Sequence, residues 1–431
     1  MPEHESKTVC IVGLGYVGLP LASAFDEEGL DVIGYDVDEA KVTGLTEGRD
    51  PTNEIGDEAV ARSGIEFTTD PTPIERADYV IITVPTPVDS MKNPNLDFVE
   101  SAGRTIGEHL SSGTTIVLES TVYPGVTRDV LAPAIEDASG FTLGEEFNVG
   151  YSPERLAPGT DKSLREVVKI VSGDTDETLA DLAALYERVV DAGVYRAPTV
   201  EAAEAAKVLE NVQRDVNIAV VNELALICDH MGLDTREVID AAASKWNFHE
   251  YEPGLVGGHC IPVDPLFLVH GSERAGYSPK LILQAREVNE YMPKHTAELT
   301  LKALNQCGKV LQDSEIVVLG LAYKPNVGDL RTSEIGGVIT TLEEYGVECA
   351  GYDPLAPDET IRESFGIEPL DEPDFEGADG IILATPHDDM VAELDLAAAR
   401  EQLADDPVLI DVKGVLDEDE ATNAGYAYRK L

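Results

Sequence analysis

The sequence predicts an α/β protein: two doubly wound, Rossmann-like domains joined by a central helical region. Three observations carry this. Apolar runs alternate with helical stretches from Thr8 to Tyr151, one long segment without glycine or proline spans Glu201 to Met231, and alternation resumes near Ser314. Strands that alternate with helices pair in parallel, with helices on both faces of the sheet. A chain of 431 residues exceeds what one core organises. The expected domains are 1–197, 198–300 and 301–431.

The elements follow in order. Thr8–Val12 is an apolar run ending at Gly13-Leu14-Gly15-Tyr16-Val17-Gly18; Leu19–Glu28 reads as a helix, and Asp31–Tyr35 is a second strand closed by Asp36. Strand signals recur at Tyr79–Val84, Thr115–Leu118 and Asn148–Tyr151. In the long segment Ala202, Ala206, Leu209, Val212, Val216, Ile218, Val221 and Leu224 recur at mostly helical spacing, the pattern of a spine between lobes. Another helix is expected near Pro279–Tyr291. Glu315–Leu321, Val347–Tyr352, Gly380–Ala384 and Val408–Asp411 predict a second, smaller sheet.

Composition excludes several function classes. No run of about 18 apolar residues exists to span a membrane, and the polar N-terminus lacks a secretory signal's basic and apolar regions. A cytoplasmic location is the expectation. The five cysteines are scattered without a CxxC pair, so neither zinc nor a redox disulfide is expected, and Cys10 and Cys349 read as core residues. The net charge of -51 is dispersed along the chain. That argues against nucleic acid, which needs a basic surface. It fits a halophilic protein working in concentrated salt, which screens the self-repulsion.

The turn at Gly13, Gly15 and Gly18 has dinucleotide-binding spacing. The first glycine makes the turn, the second admits a pyrophosphate, the third allows close helix–strand packing, and the helix N-terminus favours anions. Tyr16 and Val17 lie within it. Asp36 stands where an acid accepts the adenosine ribose hydroxyls and repels a 2′-phosphate, which favours NAD. The alternative is a degenerate turn that holds no nucleotide. Val84-Pro85-Thr86-Pro87 and Glu119-Ser120-Thr121-Val122 each follow a strand, on the ligand side of an open parallel sheet. Their hydroxyls either reach a ligand or serve turn chemistry.

Gly257-Gly258-His259-Cys260-Ile261-Pro262-Val263-Asp264 suggests covalent catalysis. A thiolate that adds to an aldehyde makes a hemithioacetal; loss of hydride leaves a thioester, and water releases an acid. The two glycines allow a ligand close approach to Cys260. Asp264 is placed to orient the water, or is a turn aspartate before Pro265. His259 is a poor metal candidate without further ligands nearby. Lys207 and Asn211 share a helix face. There they suit a developing oxyanion; the alternative is a solvent-facing lysine paired with Glu204 or Glu210.

Together these motifs resemble the UDP-glucose/GDP-mannose dehydrogenase family over nearly the whole chain. Tyr151-Ser-Pro-Glu154-Arg155 and Gly320-Leu-Ala-Tyr-Lys324…Asp329-Leu-Arg331 complete the set. The resemblance implies an NAD domain, a central helical dimerisation region making a homodimer, and a UDP-binding domain. It implies four-electron oxidation of a UDP-sugar C6 hydroxymethyl to a carboxylate. Cys260 would be the nucleophile, Lys207 and Asn211 would contact the reacting oxygen, Asp264 with Thr121 would activate water, and Glu154 would do acid–base work. Gly13, Gly15, Tyr16, Val17, Gly18, Asp36, Pro85, Thr86, Thr121 and Arg331 fall to the cofactor. Glu154, Arg155, Lys207, Asn211, Gly257, Gly258, Lys324 and Lys413 fall to the substrate. The motifs are most similar to the UDP-N-acetylhexosamine branch, UDP-N-acetyl-D-mannosamine first, with UDP-N-acetylglucosamine and UDP-glucose as alternatives. Arg155 stands where the UDP-glucose branch has an aromatic residue, Pro158 where it has a second glutamate, and Lys413 where arginine is common. A two-electron hydroxyacid dehydrogenase or a non-enzymatic NAD-binding scaffold would need no Cys260.

Overall fold

The computed structural model describes residues 7–89, 91–155 and 162–431. The chain divides into two compact units, Met1–Glu210 with Leu266–Ser278, and Asn211–Pro265 with Pro279–Leu431.

The first unit is built on an eight-stranded sheet: β1 (Thr8–Val12), β2 (Asp31–Tyr35), β3 (Glu66–Thr68), β4 (Tyr79–Ile82), β5 (Thr115–Leu118), β6 (Asn148–Tyr151), β7 (Lys169–Gly173) and β8 (Val194–Arg196). The order is β3-β2-β1-β4-β5-β6-β7-β8, parallel from β3 to β6, with β7 antiparallel to β6. Strand order reverses between β1 and β4, and ligands bind at such a switch point. The second unit carries β9 (Glu315–Leu319), β10 (Glu348–Tyr352), β11 (Glu368–Pro369), β12 (Gly380–Leu383), β13 (Val408–Asp411) and β14 (Ala427–Lys430). Its order, β11-β10-β9-β12-β13-β14, repeats the same topology and is parallel throughout. Alternation builds both of its faces: Val317, Leu319, Ile381 and Leu383 enter one core, Ile316, Val318 and Ile382 the other.

Some expected elements differ in extent. β4 stops at Ile82 and β9 at Leu319, because Thr83 and Gly320 already belong to the loops. Strands β3 and β8, of three residues each, are too short to show a period. The helix expected to end near Tyr291 runs from Lys280 to Gln306 through Pro293. Met292, Ala297, Leu301 and Leu304 on that helix are buried in the second core. Such packing offsets the roughly 3 kcal/mol an internal proline costs.

The long helix, Val200–Met231, starts one residue before expectation. Its apolar stripe does not define its buried side. Leu209 is 56% exposed, whereas Glu204, Lys207, Asn211, Asp215 and Asn222 are all buried.

Candidate functional site

In the first unit the glycine turn has the expected geometry. Gly13 adopts φ +100° and donates its N–H to the Tyr35 carbonyl at 2.9 Å. A Cβ on Gly18 would lie 1.9 Å from the Gly13 oxygen, while the space beside Gly15 is open. The first helix, Gly18–Glu27, therefore presents its N-terminal amides beside an approachable backbone. Tyr16 is exposed there. Asp36 is buried, accepting from Leu14 N–H at 2.8 Å and Asp38 N–H at 3.0 Å, with Lys41 Nζ at 2.7 Å. Burial pushes its carboxyl up, but the bonds from Lys41, Leu14 and Asp38 prevail and hold it below the usual value.

The loops after β4 and β5 are tied together. Thr86 Oγ donates to the Thr121 carbonyl at 2.7 Å and Ser120 Oγ to Val84 at 2.6 Å. Both hydroxyls donate across to the neighbouring loop, and Pro85 lies in the same loop as Thr86. Thr121 itself is half-buried. The long helix anchors this region through Glu204, which accepts from Gly125 N–H at 2.6 Å and from Thr127 N–H and Oγ at 2.9 and 2.6 Å. Burial raises that carboxyl to about 7.

Glu154 follows β6. Its Oε1 accepts the Arg155 N–H at 2.6 Å, and its Oε2 lies 3.6 Å from Lys169 Nζ. Arg155 pairs with Glu210 at 2.7 Å. With Glu204 and Glu210 so engaged and Lys207 buried, the solvent-facing lysine paired with either glutamate is not what folds. Pro158 lies outside the described residues.

In the second unit, Asn211 Nδ2 donates to Asp264 Oδ2 at 2.6 Å, both side chains buried. The Cys260 carbonyl accepts Asp264 N–H at 2.8 Å, a turn that leads into the helix Asp264–Arg274. Cys260 is exposed. The glycines before it have a packing reason the sequence did not show. A Cβ on Gly257 would meet the Thr332 oxygen at 2.7 Å, and one on Gly258, φ +91°, the Tyr323 ring at 2.9 Å. These two glycines seat the loop on protein.

Lys413 Nζ donates to the Pro253 carbonyl at 3.3 Å, and burial lowers its pKa. Lys413, Gly257, Tyr323, Ser333 and Thr385 line one pocket. Lys324 is half-buried in the loop after β9. Further along that loop, Arg331 makes a two-pronged contact with Asp329 at 3.0 and 2.9 Å. Among the described residues no group of three or more His, Cys, Asp or Glu is arranged to hold a metal.

Apolar periodicity overlooked a polar interior. Arg286 reaches Asp215 at 2.7 Å, Asn289 reaches Asp215 at 2.8 Å, and Asn222 bonds Asn289 at 2.8 Å while clasping both Gly254 N–H and C=O. The available signal was polar residues recurring at helical spacing, 204, 207, 211, 215 and 222, in a helix long enough to need a buried face.

Three family models cover most of the chain: the NAD binding domain of the UDP-glucose/GDP-mannose dehydrogenase family matches residues 7–190, its central domain 201–291 and its UDP binding domain 317–418. The chain belongs to the UDP-glucose/GDP-mannose dehydrogenase family. It is 39% identical to a UDP-N-acetyl-D-glucosamine 6-dehydrogenase of Pseudomonas aeruginosa, over 96% of this chain and 98% of that one. It is 36% identical to a UDP-N-acetyl-D-mannosamine dehydrogenase of Methanocaldococcus jannaschii, over 89% of this chain and 86% of that one. A UDP-D-ManNAc dehydrogenase structure from Pyrococcus horikoshii superposes with a TM-score of 0.88 at 30% identity, covering 98% and 99% of the two chains. This family member is an NAD-dependent UDP-sugar dehydrogenase with Rossmann-like domains. No helix among the described residues is long and apolar enough to cross a membrane.

Proposed function

We propose that the protein oxidises the C6 hydroxymethyl of a UDP-N-acetylhexosamine to a carboxylate through a thioester on Cys260. The observation that carries this is the Asn211–Asp264 hydrogen bond beside the Cys260 turn. One buried amide holds a carboxylate within a helical turn of an exposed thiol, the pairing that thioester hydrolysis needs.

NAD fits the first unit: the open space at Gly15, the helix N-terminus at Gly18 and the ionised Asp36 supply a pyrophosphate cradle and a ribose acceptor. Held there, NAD would supply the hydride acceptor for each two-electron stage. Lys207 stabilises the developing oxyanion, the Cys260 thiolate adds to the aldehyde carbon, and Asp264 orients the water that releases the acid. Glu154 serves as acid–base group. Each carboxylate formed consumes two NAD and one water. Lys413, Lys324 and the Tyr323 pocket take the nucleotide side. The 39% identity to a UDP-N-acetyl-D-glucosamine enzyme favours that sugar. UDP-N-acetyl-D-mannosamine, first by motif, is the second reading, supported by the Pyrococcus structure.

An assay against a panel of UDP-sugars at high salt tests the proposal. Two NADH per sugar are expected; one NADH with accumulating aldehyde would sink it. Cys260→Ser should abolish acid formation, by a factor on the order of 10⁴ or more, while NAD still binds. We also propose a homodimer in the cytoplasm, with the exposed Val220, Ile227 and Met231 of the long helix at the interface. The mass in solution checks it. The charge of -51 predicts loss of stability on transfer from molar KCl to dilute buffer.

A further inference from the structure

A second group of charges lies inside the first unit. Lys169 opens β7 and is only 2% exposed. Its Nζ donates to Glu119 Oε2 at 2.8 Å, and Glu119, at the end of β5, also accepts the Tyr186 hydroxyl. The ammonium lies 5.5 Å over the Tyr186 ring. On its remaining side stands Glu154 Oε2 at 3.6 Å. A buried ion pair seldom adds net stability over an apolar pair of the same volume, because both charges lose their water. The expense makes sense if the charge is used where it emerges. It emerges at Glu154, the only one of the four side chains that is not fully buried.

We propose that Lys169, shared between Glu119 and Glu154, is a positioning residue that fixes the orientation and charge of the Glu154 carboxylate. The proposal rests on the acid–base role given to Glu154 above. Glu154 is held from two directions, by the Arg155 N–H on Oε1 and by Lys169 on Oε2. Burial alone would lower the Lys169 pKa, but Glu119 and Glu154 prevail and raise it, so the ammonium persists. Glu119 divides that charge and Tyr186 shares the load on Glu119. The long helix contributes Glu210, already paired with Arg155, and the buried Lys207. The charge facing Glu154 therefore depends on how Lys169 is partitioned between two carboxylates.

The test is the pH dependence of kcat/KM for the full-length enzyme with NAD and the UDP-sugar turned over fastest in the panel. Glu119→Gln frees Lys169 for Glu154, and the acid limb should move down by about one pH unit with kcat within about threefold. The double variant Glu119→Gln/Lys169→Met leaves no buried charge behind. Its acid limb should move up by about one unit, and kcat should fall about tenfold or more with KM little changed. Opposite shifts are not what loosened packing produces. An acid limb unmoved in both variants overturns the proposal; if the double variant does not fold, the direction in Glu119→Gln decides. Glu154→Gln separates the two readings. If it abolishes the limb while the network variants leave theirs in place, the network falls alone. If it leaves limb and turnover intact, the role of Glu154 falls and the network with it.

Discussion

The protein builds the same turn twice, and only after the first does a helix follow directly. Gly13 N–H bonds the Tyr35 carbonyl at 2.9 Å, and Gly320 N–H bonds Tyr352 at 2.8 Å. Leu14 N–H reaches Asp36 and Leu321 N–H reaches Asp353, both at 2.8 Å. Thr83 Oγ closes on the Gly13 carbonyl and Thr385 Oγ on that of Ala322. The turns then part. Gly18 opens a helix directly after the first, whereas Pro325 interrupts the second and the next helix begins only at Ile335. Asp36 faces the half-exposed Lys41; Asp353 is enclosed by His387, whose Nε2 lies 3.1 Å away. Asn326 N–H donates to His387 Nδ1 at 2.9 Å, so the ring donates through Nε2 to the acid. The residues just past the turn decide whether a helix N-terminus stands beside it or begins ten residues on.

Substitutions at the glycines should separate the turns most sharply. Gly18→Ala places a Cβ against the Gly13 oxygen, and NAD affinity should fall on the order of 100-fold, about 2.7 kcal/mol, by calorimetric titration. Gly320→Ala sets a Cβ 1.8 Å from the Thr385 oxygen. It should cost about 3 kcal/mol of folding stability and leave NAD affinity unaltered; equal loss of NAD binding in both would erase the distinction. Next come the partners of the acids. His387→Phe removes a buried donor and should cost about 2 kcal/mol, while Lys41→Met should cost under about 1 kcal/mol because that pair is partly solvated. Thermal unfolding ranks the two.

The smallest effect concerns pH. Asp353, like Asp36, titrates below the ordinary carboxylate value. Burial pushes it up, but His387 and the Leu355 and Leu321 amides outweigh it. A depressed folded pKa contributes stability above the unfolded value of about 3.9, lost as pH falls through the folded value. Asp353→Asn and Asp36→Asn should each flatten the dependence of unfolding free energy on pH below about 4. An unchanged slope would show that the aspartates ionise alike in both states.

Much of this architecture was legible because it is local. A glycine turn, the strand before it and the acid closing the next strand lie within one stretch of chain, and their geometry follows from sterics and period. Cys260 and Asp264, four residues apart, needed only a helical turn to be linked. The packing of Gly257 and Gly258 was not legible, since Tyr323 and Thr332, against which they pack, come from a distant loop. The long helix misled in the same way. Of its apolar stripe Val212 and Val221 are buried but Leu209 is exposed, and Glu204, Asp215 and Asn222 are inside, because remote partners compensate their polar groups.

The amino-acid order by itself determined two doubly wound sheets, a nucleotide turn with its acid, and the spacing of the Cys260 thiol and the Asp264 carboxylate, all of which depend on near neighbours. Tertiary structure alone decided which charges are buried together. Lys169 meets a glutamate 50 residues away and Arg286 an aspartate 71 away, and no local period records a hydrogen bond that strand order and helix packing bring about.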